Sequence, residues 1–186
     1  MLVKLLDFPL LPQIYEYDCG VVALQAILIY YGIEVREEKL LKSAKTRRKE
    51  GTSVTGILRT LKEYNLHFDS KLMTLKNLKD YINKRIPIII LLQAWSKTAV
   101  KYKNDYHDGH WVVVVGYNDK KVFFEDPYTF ERTFLTNEEL KNRWHATENK
   151  KKIINFGIAV YGRPLYHSKK IIHMDFRSWK NLLTFN

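Results

Sequence analysis

The stretch "QIYEYDCGVVALQAILIYYG", residues 13–32, contains the only cysteine of the chain. From Cys19 to Tyr31 the residues are apolar on nearly every side of a helix, which predicts a buried helix, and Gly32 suits its C-terminal end. Cys19 therefore lies in the first turn of a helix, where unpaired N–H groups and the helix dipole favour a thiolate. Gly20 beside it removes side-chain bulk and would let a substrate backbone approach the sulfur.

The first half of the chain is predicted to be helical around this segment. Three further stretches have helical spacing of apolar residues, and Thr52 or Ser53 and Thr74 are suitable N-caps for two of them. These helices are predicted over "REEKLLKSA" (36–44), "TSVTGILRTLKEYN" (52–65) and "TLKNLKDYINKR" (74–85).

The second half is predicted to be mainly strands. Its β-branched and aromatic runs are bounded by turn residues, and one short helix, residues 136–144, is inserted with Thr136 and Glu139 as a capping box. The sequence therefore predicts an α+β fold in which the helix that carries Cys19 packs on an antiparallel sheet. The runs are "PIIILL" (87–92), "HWVVVVGYN" (110–118), "KVFFED" (121–126) and "IINFGIAVYG" (153–162).

Length and composition indicate one soluble domain. We predict that residues 1–164 form the domain and that residues 165–186 are a basic extension packed on it. The net charge of +11 favours acidic partners, but no nucleic-acid motif accompanies it, so nucleic acid is not the predicted partner. The apolar stretch 86–95 is too short to span a bilayer, so a membrane is not predicted either.

The single cysteine bears on the compartment and on metal binding. One cysteine excludes an internal disulfide and a zinc site built on several thiolates. The apolar start of the chain is interrupted by Asp7 and Pro9 and is too short for a secretory signal. We therefore predict a cytoplasmic protein.

A base for Cys19 is predicted at the start of an apolar strand. His110 opens the run "HWVVVVGY", and the next strand ends in Asp126. A hairpin turn centred on residues 118–119 sets His110 opposite residues 125–127, so Asp126 can orient the imidazole and stabilise its charge. Gln13, on the loop that leads to the Cys19 helix, is a candidate second oxyanion donor beside the backbone N–H of Cys19.

These motifs together resemble a known family. Gln13, the "DCG" at residues 18–20, the run "GTSVTGILRTLKEYNL" (51–66), "GHWVVVVGY" (109–117) and "FEDP" (124–127) stand in the order found in papain-like cysteine peptidases. The resemblance is to the bacteriocin-processing peptidases, which remove double-glycine leader peptides, and to their stand-alone relatives. It covers about residues 10 to 135.

The resemblance implies a papain-like fold and a cysteine peptidase that needs no cofactor. It implies Cys19 as nucleophile, His110 as base, Asp126 as orienting residue and Gln13 as oxyanion residue. A peptide or protein is the expected substrate, with Gly20, Gly109 and Trp111 expected to contact it. A separate exporter is a candidate partner, because the sequence contains no Gly-rich nucleotide-binding loop. The long insertion 96–109 before His110 is expected to rim the site.

Other interpretations remain open at this point. The loop "DYHDGH" offers metal-ligand types at Asp105, His107, Asp108 and His110, and a metal there would remove His110 from catalysis. The same fold could also serve as a peptide-, lipid- or nucleic-acid-binding module without turnover. An amidase or acyltransferase could use the same four residues. The charge of Asp18 opposes a thiolate, so we expect its side chain to point away from Cys19 and to cap the helix.

Overall fold

The computed structural model describes residues 3–98, 100–148 and 150–168. Five α-helices, one short 3₁₀ helix and nine strands alternate along these residues. The helices are α1 (Cys19–Tyr30), α2 (Glu37–Ala44), α3 (Val54–Glu63), α4 (Leu75–Asn83), the 3₁₀ helix (Tyr102–Asn104) and α5 (Asn137–Arg143). The strands are β1 (Lys4–Leu5), β2 (His67–Leu72), β3 (Ile88–Gln93), β4 (Gly109–Tyr117), β5 (Lys121–Glu125), β6 (Thr133–Thr136), β7 (His145–Glu148), β8 (Lys151–Ile154) and β9 (Phe156–Tyr161).

The predicted helix starts are confirmed by side-chain caps. The Ser53 hydroxyl accepts a hydrogen bond from the N–H of Gly56 in the first turn of α3, so Ser53 rather than Thr52 is the N-cap. Thr74 and Thr136 each complete a capping box with the residue three positions later. Gly32 lies just beyond α1 at φ +80°, a left-handed conformation that favours glycine at the end of a helix.

One antiparallel sheet supports the structure. Its strands run in the order β2-β9-β3-β4-β5-β6, and β1 pairs with β4 outside that path. Strands β7 and β8 form a separate hairpin. Helix α1 packs against β4, and most of its side chains are buried in the core. This is the predicted α+β arrangement, and it brings the first residue of α1 to the sheet that carries His110.

The pairing of β4 with β5 differs in detail from the predicted register. Val113 pairs with Glu125, and Tyr117 pairs with Val122. These pairs are displaced by one and two residues from the register expected for a two-residue turn, because the turn is longer and a β-bulge lies between Val114 and Gly116. The side-by-side, antiparallel arrangement of the two strands is confirmed.

Two other parts of the sheet differ from the prediction. Strand β2 was not predicted, because its sequence "HFDSKL" is mostly polar and its side chains are largely exposed. The run 153–162 was predicted as one strand but contributes to β8 and β9. Asn155 separates them with a left-handed backbone at φ +54°, and its N–H donates to the Trp144 carbonyl.

The beginning of the predicted C-terminal extension contacts the domain. The N–H groups of Leu165 and Tyr166 both donate to the carbonyl of Tyr30, at 3.0 and 3.2 Å. Leu165 also packs over Gly32. Residues 169–186 lie outside the described residues, so the packing of the whole extension stays a prediction. Of the helices in the described ranges, none has the length and apolar character to cross a bilayer.

Candidate active site

Cys19 is the first residue of α1 and is 7% exposed. The first N–H groups of a helix have no partner within the helix, so the backbone N–H of Cys19 is a free donor beside its own thiol. The positive end of the helix dipole acts at the same place. The helix therefore presents a sulfur atom and an oxyanion donor together.

His110 lies at the start of β4, buried beside Cys19. Its Nε2 is 2.7 Å from Asp126 Oδ1. The other ring nitrogen, Nδ1, is then the one available to the thiol, and Cys19 lies within hydrogen-bonding reach of the ring. The structure thus brings together three of the predicted site residues from α1, β4 and the end of β5.

The charge state of His110 follows from these neighbours. Burial opposes the imidazolium, but hydrogen bonds to Asp126 and Cys19 outweigh it and raise the pKa of His110 to about 10. At neutral pH the ring is therefore an imidazolium. A positive ring beside a thiol stabilises the thiolate, which is the nucleophilic form.

The Asp126 carboxylate is held by four donors. Its Oδ1 accepts from His110 and from the Tyr128 N–H at 3.0 Å. Its Oδ2 accepts from the Trp95 indole and the Thr133 hydroxyl, both at 3.1 Å. Burial alone would raise the pKa of Asp126, but the bonds from His110, Tyr128 and Thr133 hold it below the usual range. The carboxylate is charged and fixed in orientation.

Gln13 lies on a loop that is fastened to the Asp126 segment. Its backbone N–H donates to the Pro127 carbonyl at 2.6 Å, and its side-chain Nε2 donates to the Tyr15 carbonyl at 2.8 Å. Two residues earlier, the Leu11 N–H donates to Glu125. The loop that carries Gln13 is therefore built into the same end of the sheet as Asp126.

Gly20 and Trp111 lie in tightly packed surroundings. A Cβ on Gly20 would lie 2.7 Å from Thr52 Cβ and 2.8 Å from Trp111 Cδ1, so protein atoms already fill that space. Trp111 is buried, and its indole donates to the Thr52 carbonyl. Both residues pack at the base of α1, and their contact with a substrate stays a prediction. Gly109 is exposed next to His110, and its contact with substrate stays a prediction.

Sequence reasoning missed Trp95. Its indole binds Asp126 and stacks on Tyr128, with ring centroids 4.7 Å apart. Its backbone is left-handed at φ +59°, which is strained for a residue with a side chain. The only signal in the sequence was its position, directly before the insertion 96–109. Gln93 closes the base of that insertion by accepting from the Asp108 N–H.

The metal interpretation of the "DYHDGH" loop has no support in the geometry. Within residues 3–98, 100–148 and 150–168, no group of three or more His, Cys, Asp or Glu side chains is placed to hold a metal ion. His110 is paired with Asp126, and Asp105 accepts from the backbone N–H of His107 instead.

The expectation that Asp18 caps α1 is wrong. Its side chain makes no cap hydrogen bond to the helix. Asp18 Oδ2 accepts instead from the N–H groups of Ile14 and Tyr15, at 3.2 and 3.0 Å. The carboxylate thus points back toward the loop that carries Gln13.

Most of the chain matches a known protein family. A model of the Peptidase C39 family matches residues 7–148. This chain belongs to the Peptidase C39 family. The prediction of a cysteine peptidase related to the bacteriocin-processing enzymes is therefore confirmed.

A relative with both transport and processing in its name shares part of this sequence. The chain is 26% identical over 133 residues to the pediocin PA-1 transport/processing ATP-binding protein PedD of Pediococcus acidilactici. That match covers 71% of this chain but only 17% of PedD.

Three solved structures share the fold, which confirms the predicted fold class. The peptidase domain of Streptococcus ComA is 22% identical, with a TM-score of 0.64 over 83% of this chain and 98% of that domain. A C39-like peptidase from Bacillus anthracis is 16% identical, with a TM-score of 0.64 over 88% of this chain and all of that one. A double glycine motif protease from an AMS/PCAT transporter, solved with a leader peptide, is 18% identical, with a TM-score of 0.62 over 84% of this chain and 93% of that one.

The packing role of Gly20 predicts the effect of adding one methyl group. Gly20→Ala forces Thr52 and Trp111 apart, so we expect a loss of about 1–3 kcal/mol in the free energy of unfolding. Urea denaturation measures it. An unchanged free energy of unfolding together with a raised KM would contradict the packing role and restore Gly20 as a substrate contact.

Glu125 makes the stability of the domain depend on pH. It is fully buried, and burial, with Asp126 adding to it, raises its pKa to about 8 despite the Leu11 N–H, Arg132 and His110. The folded protein therefore holds a proton that the unfolded chain releases near pH ~4.5. The free energy of unfolding therefore has its full contribution from Glu125 in acid, below the unfolded pKa. That contribution is lost as the pH rises toward 8, the pKa in the folded protein.

Glu125→Gln should remove that loss, because the amide keeps the oxygen that accepts from Leu11 and never ionises. We expect its Tm to match wild type near pH ~5 and to exceed it by several degrees near pH ~9. Glu131→Gln, at an exposed position nearby, is the control and should match wild type throughout. A Tm difference that does not grow with pH would contradict the account.

Proposed function

We propose that this chain hydrolyses a peptide bond in a leader peptide, at a double-glycine sequence, through Cys19, His110, Asp126 and Gln13. The buried contact of His110 with both Cys19 and Asp126 carries the proposal. The substrate class rests on the relatives, since one fold neighbour is a double glycine motif protease solved with a leader peptide.

The attack begins from a preformed ion pair. Cys19 Sγ as thiolate adds to the scissile carbonyl, and the charge moves to the carbonyl oxygen. The His110 imidazolium then gives its proton from Nδ1 to the leaving amine, which departs and leaves a thioester on Cys19. Asp126 keeps the ring oriented and stabilises its positive charge in both steps.

Two donors serve the developing oxyanion. One is the backbone N–H of Cys19 at the start of α1. The other is the side-chain amide of Gln13: its Nε2 has two hydrogens, and one of them is used by the Tyr15 carbonyl. The second hydrogen is the donor that we assign to the oxyanion. Water then adds to the thioester, with neutral His110 taking its proton, and the acid product leaves.

The partner and the location belong to the same proposal. PedD is named for transport as well as processing, so we propose a peptide exporter as the partner of this peptidase. We place both on the cytoplasmic side, where a single reduced thiol persists.

Hydrolysis and alkylation together test this function. A synthetic peptide with an internal Gly-Gly should be cut after the second glycine, as read by mass spectrometry. Cys19→Ala and His110→Ala should each abolish the cut, whereas His107→Ala, an exposed histidine of the preceding loop, should retain it.

The alkylation rate of Cys19 by iodoacetamide isolates the ion pair. In wild type it should be independent of pH between about 7 and 9, because the imidazolium persists to a higher pH. In His110→Ala it should rise about tenfold per pH unit below ~8.5, as for a free thiol. A wild-type profile identical to that of His110→Ala would show that Cys19 is not activated by His110.

A further inference from the structure

Asp18 is a fully buried carboxylate that the proposed chemistry does not use. It directly precedes the nucleophile, and a negative charge at that place opposes a thiolate. A buried charge costs free energy unless it is paired or hydrogen-bonded. Its partners are the Ile14 and Tyr15 N–H groups, at 3.2 and 3.0 Å from the same oxygen, Oδ2.

These two bonds fall on the residues that follow Gln13. Ile14 and Tyr15 are 72% and 50% exposed, so burial of these residues contributes little to holding the loop. The Gln13 amide itself binds the Tyr15 carbonyl, so the direction of that amide depends on where the Tyr15 peptide lies. Asp18 therefore acts on Gln13 through the backbone of residues 14 and 15.

The second oxygen of Asp18 faces another carboxyl group. Asp18 Oδ1 and Glu37 Oε1 are both buried, and neither oxygen has a hydrogen-bond partner among the described residues. The two acidic side chains are close enough to interact, because Asp18 contributes to raising the pKa of Glu37. Two carboxylate oxygens can bond only through a proton that one of them carries. Burial, followed by the charge of Asp18 and that of Glu38 on the same helix, raises the pKa of Glu37 to about 6.

We propose that Asp18 is a positioning residue for the oxyanion hole. The Asp18 carboxylate holds the 13–15 loop against the start of α1, and Glu37 in turn holds Asp18 in place. The inference rests on the proposed function, because Gln13 matters only if an oxyanion forms. It assigns to the acidic residue of the "DCG" motif a task separate from activating the thiol. The support that Glu37 gives to Asp18 weakens as the pH rises and Glu37 loses its proton, because two neighbouring carboxylates repel each other.

Substitutions at Asp18 separate hydrogen bonding from charge. Asp18→Ala removes both acceptors and should lower kcat about 100-fold with KM little changed, since a displaced catalytic group costs about that much. Asp18→Asn keeps one oxygen for the two N–H groups and turns an amide donor toward Glu37, so it should retain most of kcat. Should Asp18→Ala not fold, Asp18→Ser, too short to reach both N–H groups, should also lose kcat.

Two further readouts distinguish positioning from general damage. Alkylation of Cys19 by iodoacetamide forms no oxyanion, and removing the Asp18 charge does not disfavour the thiolate, so Asp18→Ala should react at least as fast as wild type. A peptide aldehyde ending in Gly-Gly forms an oxyanion on Cys19, so its affinity should fall along with kcat. Full kcat in Asp18→Ala or in Asp18→Ser, or Asp18→Asn as impaired as Asp18→Ala, would overturn the proposal.

Glu37 supplies the matched pair of controls. Glu37→Gln donates permanently to Asp18 and should raise Tm near neutral pH without lowering kcat, whereas Glu38→Gln, exposed on the same helix, should leave Tm closer to wild type. Hydrogen exchange of the Ile14 and Tyr15 backbone N–H groups measures their hydrogen bonds to Asp18 without any catalysis. Asp18→Ala should accelerate this exchange. A wild type that cuts no peptide would end the proposed function, whereas unchanged exchange in Asp18→Ala would end this inference alone.

Discussion

The site depends on the hydrogen bond between His110 Nε2 and Asp126 Oδ1, 2.7 Å long and buried. A buried imidazolium is unfavourable unless a charge faces it, and Asp126 provides that charge. The carboxylate is stable there because four donors satisfy its two oxygens. With the ring fixed and charged, Nδ1 is left for Cys19, so the whole proposed chemistry follows from this one pair.

The fold brings distant segments to that pair. His110 lies in β4 and Asp126 directly follows β5, and the loop with Gln13 is hydrogen-bonded to Pro127, the next residue. Helix α1 is buried on nearly all sides, so Cys19 at its first turn has little freedom to move. Buried acidic groups, Glu125 and Asp18, then fasten the 11–15 loop from two sides. The two acidic side chains thus tie the loop to separate elements of the fold.

Much of this could be predicted from the sequence where a local pattern has one physical meaning. The apolar helix after Cys19, the capping box of Thr136 and Glu139, and the hairpin that joins His110 to Asp126 are such patterns. What failed needed three-dimensional neighbours. The packing of Thr52 and Trp111 against Gly20 has no local sign in the sequence. Trp95 was missed because a left-handed tryptophan has no sequence signature, and the target of Asp18 depends on a loop folding back.

The ionisation of His110 in the resting protein is the most direct test of this account. Nitrogen-15 NMR of the histidine rings, assigned with His110→Ala, reports whether Nδ1 and Nε2 both carry protons. With a pKa of about 10, His110 should remain an imidazolium through neutral pH and titrate only in strongly alkaline solution. A His110 ring that is already neutral at about pH 7, as an isolated histidine would be, contradicts the ion pair from which the proposed reaction begins.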